Sequence, residues 1–388
     1  MTESRPIAGS SFVLETSGEH DSPPASAVRE FLVASGARRV TTIVHPLTAE
    51  AAPEHLLETW DGVAGRGRRR RIRAPSHPPL TYPLDLLVPP ALPRADAYIG
   101  FNNLVAARGI AARASGRTSR SGYWAVDFVP DRFGAGGLLT RAYDALDRWV
   151  CRTADARFEV SEAARAGRDE RHGLRPGEAA PAHVAPMGAW LDRVPRAPED
   201  GHRARRVVWI GHMVERQGVG CLIEALGLLA ARGVAFEAEL AGRGPGEPAI
   251  RAAIERLGLG ERVRLLGYLD DHRALEAVLA RASVATAPYD TEIQSFTRYA
   301  DPAKLKAYLA AGLPIVTTGV PPNAREVAEH GGGEIVAFEA EPMAAAIERA
   351  LTEPEDWTRR RAAALELAGA YDWGRIVERA LAALGFVQ

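Results

Sequence analysis

The chain has 388 residues, 46% of them hydrophobic and 25% charged, with a formal net charge of -1. That length suits two domains of roughly 150 to 200 residues, and the composition excludes disorder as a whole-chain state. The balanced charge excludes an overall field for nucleic acid, and two cysteines, Cys151 and Cys221, exclude a disulfide framework or a cysteine zinc site.

The first ten residues are polar, with no apolar run behind a basic region. No stretch approaches a membrane span, and the greasiest run, 84–92, is broken by Asp85 and by Pro89 and Pro90. The expected protein is cytoplasmic, soluble or peripheral to the inner face of a membrane. In the first half, apolar runs predict strands at 12–15, 39–45, 97–101, 123–126 and 157–160. Helical spacing predicts helices at 25–35, 104–113, 138–152 and 161–171. The arginine run 66–73 reads as a loop, either a solvated face or a patch drawn to anionic lipid.

Residues 190–204 are rich in Pro, Arg and Asp without a period, as in a linker. Beyond them the alternation becomes regular. Strands are expected at 206–210, 236–241, 262–266, 283–287, 314–318 and 334–338. Helices are expected at 219–232, 248–257, 272–282, from near Pro302, and at 323–329. This order predicts an α/β protein with two Rossmann-like, doubly wound parallel sheets facing a cleft. The expected division is 1–190, a linker 191–204, a second domain 205–368 and a closing segment 369–388.

Three segments of the second half carry a family resemblance: VVWIGHMVERQGVGCLIEAL (207–226), AELAGRGPGEPAIRAAIERLGLGERVRLLGYL (238–269) and DPAKLKAYLAAGLPIVTTGV (301–320). In order and spacing they resemble the nucleotide-sugar-binding domain of GT-B glycosyltransferases, most closely the large retaining family-four group. YDWGRIVERAL (371–381) is similar to the helix such enzymes return to their first domain, and HVAPMGA (183–189) to the segment entering the linker. The resemblance implies a glycosyltransferase without a cofactor beyond the nucleotide-sugar co-substrate, and since the chain carries no histidine-glutamate metal motif it is expected to be metal-independent.

A diphosphate that gains charge as the glycosidic bond breaks needs fixed donors around it. Gly211 permits close backbone approach, and helices starting near Gly218 and Pro302 would aim amides at the same space. Lys304, in the first turn after Pro302, would reach a phosphate. It and Lys306 are the only lysines in the chain. Where the family carries Arg and Lys at the diphosphate, this sequence has His212 and Gln217, with Arg216 adjacent. The family's acidic pair is replaced by Tyr299 and Ala307, so Asp290, Glu292 or Asp301 could serve the ribose. The loop from Gly242 to Gly246 can present amides or be a plain turn. The resemblance places Tyr268 and Leu269 at the nucleobase, where Tyr268 stacks on the base or packs under a turn. Ser295, Phe296 and Thr297 fall where the family's sugar-binding loop lies.

In the first half, Asn102 and Asn103 stand at a strand-to-helix junction, as helix caps or acceptor contacts. Asp127 ends a strand, as a loop cap or a general base on an acceptor hydroxyl, and Arg132 could pair with it or with an acidic acceptor. His20, with Glu19 and Asp21, is a second catalytic candidate or a solvated turn. His172, His183 and His202 are too scattered for a metal site. The expected activity moves a sugar from a nucleotide-sugar to a hydroxyl of a sugar or lipid-linked acceptor, in glycan, glycolipid or polysaccharide synthesis. The alternatives are a nucleotide-sugar epimerase on the same scaffold and a non-catalytic nucleotide- or carbohydrate-binding protein.

Overall fold

The computed structural model describes residues 4–18, 23–46, 54–62, 67–73, 92–269, 271–293 and 296–388. The chain forms two compact units, Met1–Pro186 with Gly374–Gln388, and Met187–Trp373.

In the first unit, β1 (Arg5–Pro6) pairs in parallel with Phe386–Val387 near the other end of the chain. The main sheet contains β2 (Ser11–Ser17), β3 (Arg39–His45), β4 (Glu54–Asp61), β5 (Arg68–Arg73), β6 (Ala95–Gly100), β7 (Thr118–Ala125), β8 (Ala156–Glu159) and β9 (Ala182–Val184). Its order is β5-β4-β3-β2-β6-β7-β8-β9. Phe12, Val13 and Leu14 of central β2 are all buried, as a continuous apolar run in a doubly covered sheet requires. Helices α1 (Ala25–Ala34), α2 (Asn103–Ala114), α3 (Leu138–Thr153) and α4 (Glu162–His172) connect the strands.

The edge departs from the sequence reading. β4 and β5 run antiparallel, so the sheet is mixed, and Arg68–Arg73 of the arginine run form a strand rather than a loop. Cross-strand pairs account for it: Arg69 meets Glu58 at 3.2 Å and Arg71 meets Glu54 at 3.5 Å. An edge strand studded with charge also resists pairing with other chains.

The second unit has six parallel strands in the order β12-β11-β10-β13-β14-β15. They are β10 (Arg206–Ile210), β11 (Glu237–Ala241), β12 (Val263–Gly267), β13 (Val284–Ala287), β14 (Ile315–Thr317) and β15 (Gly333–Ile335). Helices α5 (Val219–Ala231), α6 (Glu247–Arg256), α7 (His272–Ala280), α8 (Ala303–Ala310), α9 (Asn323–Glu329), α10 (Ala340–Thr352) and α11 (Pro354–Ala368) complete it. Leu222, Ile223, Leu226 and Leu229 of α5 are fully buried on one face of the sheet, each worth about 1.5–3 kcal/mol. Leu305, Tyr308 and Leu309 of α8 fill the core on the other. Strand order reverses between β10 and β13, the switch point where open parallel sheets hold ligands.

The stretch read as a linker belongs to this unit's packing. Ala197 is buried, its amide donates to the Ala311 carbonyl at 2.8 Å, and Ser283 Oγ donates to the Gly201 carbonyl at 2.7 Å. Aperiodic composition marks irregular backbone, and here that backbone is bonded at both points.

Candidate functional site

Four glycines shape the floor at the carboxyl ends of β10 and β11. Gly211 and Gly242 lie at φ +150° and +146°. A Cβ on Gly242 would sit 1.7 Å from the Gly211 carbonyl oxygen, one on Gly244 2.4 Å from the Met213 oxygen, and one on Gly218 1.6 Å from the Pro288 oxygen. Only glycine allows these loops to nest, and the nesting is fixed by bonds from the Gly211 amide to Ala241 O and from the Met213 amide to Arg243 O. Gly218 also starts α5, and no side chain among the described residues caps that helix or α8. Their first-turn amides are the anion-binding kind.

Lys304 points into this floor. Its Nζ donates to Gln217 Oε1 at 2.6 Å and lies 4.7 Å from the Trp209 ring centre and 5.1 Å from that of Tyr289. A Cβ on Gly211 would come within 2.8 Å of the same nitrogen. Burial between the two rings pulls the ammonium down from the ordinary lysine range to about 7. No carboxylate among the described residues pairs with it. A desolvated cation held by a neutral amide beside open helix amides is a site for an anion.

Around this centre, Arg216 lies over the Phe296 ring at 5.3 Å, His212 is exposed and Thr297 is buried. The Asp290 carboxylate accepts from the amides of Glu292 and Ile293, holding its own loop. Tyr268 is 66% exposed beyond β12, so it stands out from the turn rather than packing beneath it. Leu269 instead packs against the core. The sequence reading missed Arg243, whose Nε lies 3.5 Å from where a Cβ on Gly267 would be. Its position between Gly242 and Gly244 was the available signal.

Asp301 is a correction. Its carboxylate is buried, ion-paired with Lys306, and accepts from Asn323 Nδ2 at 3.0 Å and the Met187 amide at 2.5 Å. Buried and committed to these three partners, it braces α8 and is not turned toward a ribose. Lys306, 1% exposed, faces inward for the same reason.

In the first unit, Asn102 is a helix cap: its Oδ1 accepts from the Val105 amide at 3.0 Å, and its Nδ2 donates to Ser17 Oγ. Asn103 is fully buried, and neither of its side-chain polar atoms is bonded among the described residues. Asp127 is paired with Arg132 at 2.5 Å, and its carbonyl accepts from Arg168 at 2.6 Å. Arg168 is itself buried against Asp147 and Glu159. His20 and Ser295 lie outside the described residues.

Residues 204–353 match the family model described as Glycosyl transferases group 1. Over 142 residues, 36% of this chain and 34% of the relative, the chain is 30% identical to WcaL of Escherichia coli (strain K12), provisionally named a colanic acid biosynthesis glycosyltransferase. Over 163 residues, 42% of this chain and 39% of the relative, it is 31% identical to the GDP-mannose-dependent alpha-(1-6)-phosphatidylinositol dimannoside mannosyltransferase of Mycobacterium tuberculosis (strain ATCC 25177 / H37Ra). These matches span little more than a third of each relative. Sucrose-phosphate synthase of Thermosynechococcus elongatus superposes with a TM-score of 0.71 at 16% identity, over 95% of this chain and 97% of the other. Anabaena HepE, solved with UDP, gives 0.66 at 15% identity over 95% and 98%. At such identity the likeness shows the fold, that of GT-B glycosyltransferases. The matched span, residues 204–353, contains the glycine floor, Gln217 and Lys304.

Proposed function

We propose that the protein transfers a sugar from a nucleoside diphosphate sugar to a hydroxyl acceptor, in glycan, glycolipid or polysaccharide synthesis. The observation that carries this reading is the Lys304 ammonium, buried over Trp209 and Tyr289 and held by Gln217 beside Gly211. As the bond from the anomeric carbon to the diphosphate oxygen breaks, negative charge builds on that oxygen. A preorganised ammonium and the first-turn amides of α5 and α8 stabilise it where water would have to reorganise. The arriving phosphate oxygen takes the place of Gln217 Oε1, and the lysine binds its proton fully. Tyr268 stacks on the base with Arg243 beside it, while His212 and Arg216 complete the diphosphate shell.

For the acceptor we assign Asp127 to orient the hydroxyl, with Arg132 holding the carboxylate; His20 shares that assignment. The lipid acceptor in the name of the mycobacterial relative favours a lipid-linked acceptor here, with peripheral attachment to an anionic membrane. The resemblance to family four favours retention of anomeric configuration.

The test is incubation with UDP-, GDP-, ADP-, CMP- and dTDP-sugars and a hydroxyl acceptor. Release of one free nucleotide matched by a new glycoside is expected, its configuration read by NMR. An isomerised sugar nucleotide without transfer would favour an epimerase. Binding without turnover would favour a non-catalytic protein.

A further inference from the structure

Helix α3 turns one face into the core and carries a second apolar stripe outside. Thr140, Asp147, Val150 and Cys151 are buried. Opposite them, at spacings of four, three and four residues, Leu138, Ala142, Ala145 and Trp149 are exposed. Leu138 is 83% exposed and Trp149 44%, and Leu139 and Phe133 extend the apolar surface at the helix start. Along one flank of the stripe run Arg141, Arg148 and Arg152, all exposed, and none is in an ion pair among the described residues. The acidic residues of the helix are committed elsewhere: Asp144 to Arg171, and Asp147 to Arg168, His172 and Tyr123. The outer face therefore presents three positive charges, no negative one, two leucines at its start and an indole about three turns along.

Scattered exposed leucines need no explanation, but a stripe ordered at helical spacing beside a basic flank does. We propose that this face of α3 docks on the surface of an anionic lipid bilayer. Leu138, Leu139, Phe133 and Trp149 enter the boundary between headgroups and acyl chains, and Arg141, Arg148 and Arg152 lie against the lipid phosphates. The indole suits that boundary, being apolar in body with one polar edge. Strand β5 is the other basic surface, but two of its arginines are spent on Glu58 and Glu54, and Ile72 is its one apolar residue. Charge alone would hold a protein only loosely there; α3 supplies charge and insertion together. The proposal rests on the membrane attachment proposed above and requires no donor, so it is tested separately from the transfer reaction.

The experiment is co-sedimentation of the full chain with vesicles of phosphatidylglycerol and phosphatidylcholine in equal parts, and of phosphatidylcholine alone. Binding to the mixed vesicles only is expected. Each arginine near the surface is worth about five-fold, so the triple variant R141Q/R148Q/R152Q should bind roughly a hundredfold more weakly. L138S/W149S should also release the protein, whereas R68Q/R70Q/R73Q should sediment like the parent. Melting temperature and nucleoside diphosphate binding should stay unchanged in the α3 variants, which separates failure here from failure of the donor site. Equal binding to both vesicle types, unaltered binding by the α3 variants, or loss confined to the β5 variant would overturn the proposal. So would a lipid-free dimer that L138S disperses.

Discussion

Lys304 Nζ and Gln217 Oε1, 87 positions apart in sequence, meet at 2.6 Å and join the first turn of α8 to the turn before α5. A neutral amide is a weak partner for a buried ammonium, and the site has the character of one waiting for charge.

The pH dependence of donor binding follows from that pairing. Burial brings the Lys304 ammonium down to about 7, and only the protonated form attracts a diphosphate. Nucleoside diphosphate affinity should level off about one unit below pH 7 and fall by up to about tenfold per unit above it. Lys304→Arg, charged throughout, should flatten the profile in titration calorimetry. Without ligand the sign reverses for folding: between about pH 7 and 10 the unfolded chain keeps a proton the folded one releases, so this group adds stability as pH rises.

Gly242→Ala should be severe. The added methyl would lie 1.7 Å from the Gly211 oxygen, at a φ of +146° that side chains rarely adopt. Denaturant unfolding should show a loss of at least about 2 kcal/mol, with loss of nucleotide protection in the fraction still folded.

Asp301→Asn should strip Lys306 of its buried partner and cost about 3–5 kcal/mol in urea melts. Nucleotide affinity per folded molecule should be unchanged, since the Asp301 carboxylate serves α8. A selective loss of affinity with stability intact would return Asp301 to the ligand.

Tyr268→Ala should weaken nucleoside diphosphate binding by about five- to a hundredfold, the worth of one base stacked on an aromatic ring. Inorganic pyrophosphate should bind the variant and the parent alike, so the ratio of the two affinities is the measurement.

β10 and β11 of the second unit were legible because each is a short buried run stopped by glycine, and the helix carrying Lys304 because Pro302 marks its start. β4 and β5 were not, since Glu, Thr and Arg at a sheet edge lack the apolar signature that periodicity detects. Asp301 was misread for a related reason. A carboxylate close in sequence to the missing acidic pair looks like a substitute for it until the partner five residues on, Lys306, is seen folded inward against it. Arg243 went unnoticed because the glycines around it explain the turn by themselves, and its reach to Gly267 depends on a neighbouring strand.

The central claim is that the Lys304 ammonium receives a diphosphate. Titration calorimetry of nucleoside diphosphates against the parent and Lys304→Ala near pH 7 tests it. The loss of one charge-assisted hydrogen bond predicts an affinity roughly ten- to a hundredfold lower at unchanged stoichiometry and fold. Equal affinity in the two proteins would contradict the claim.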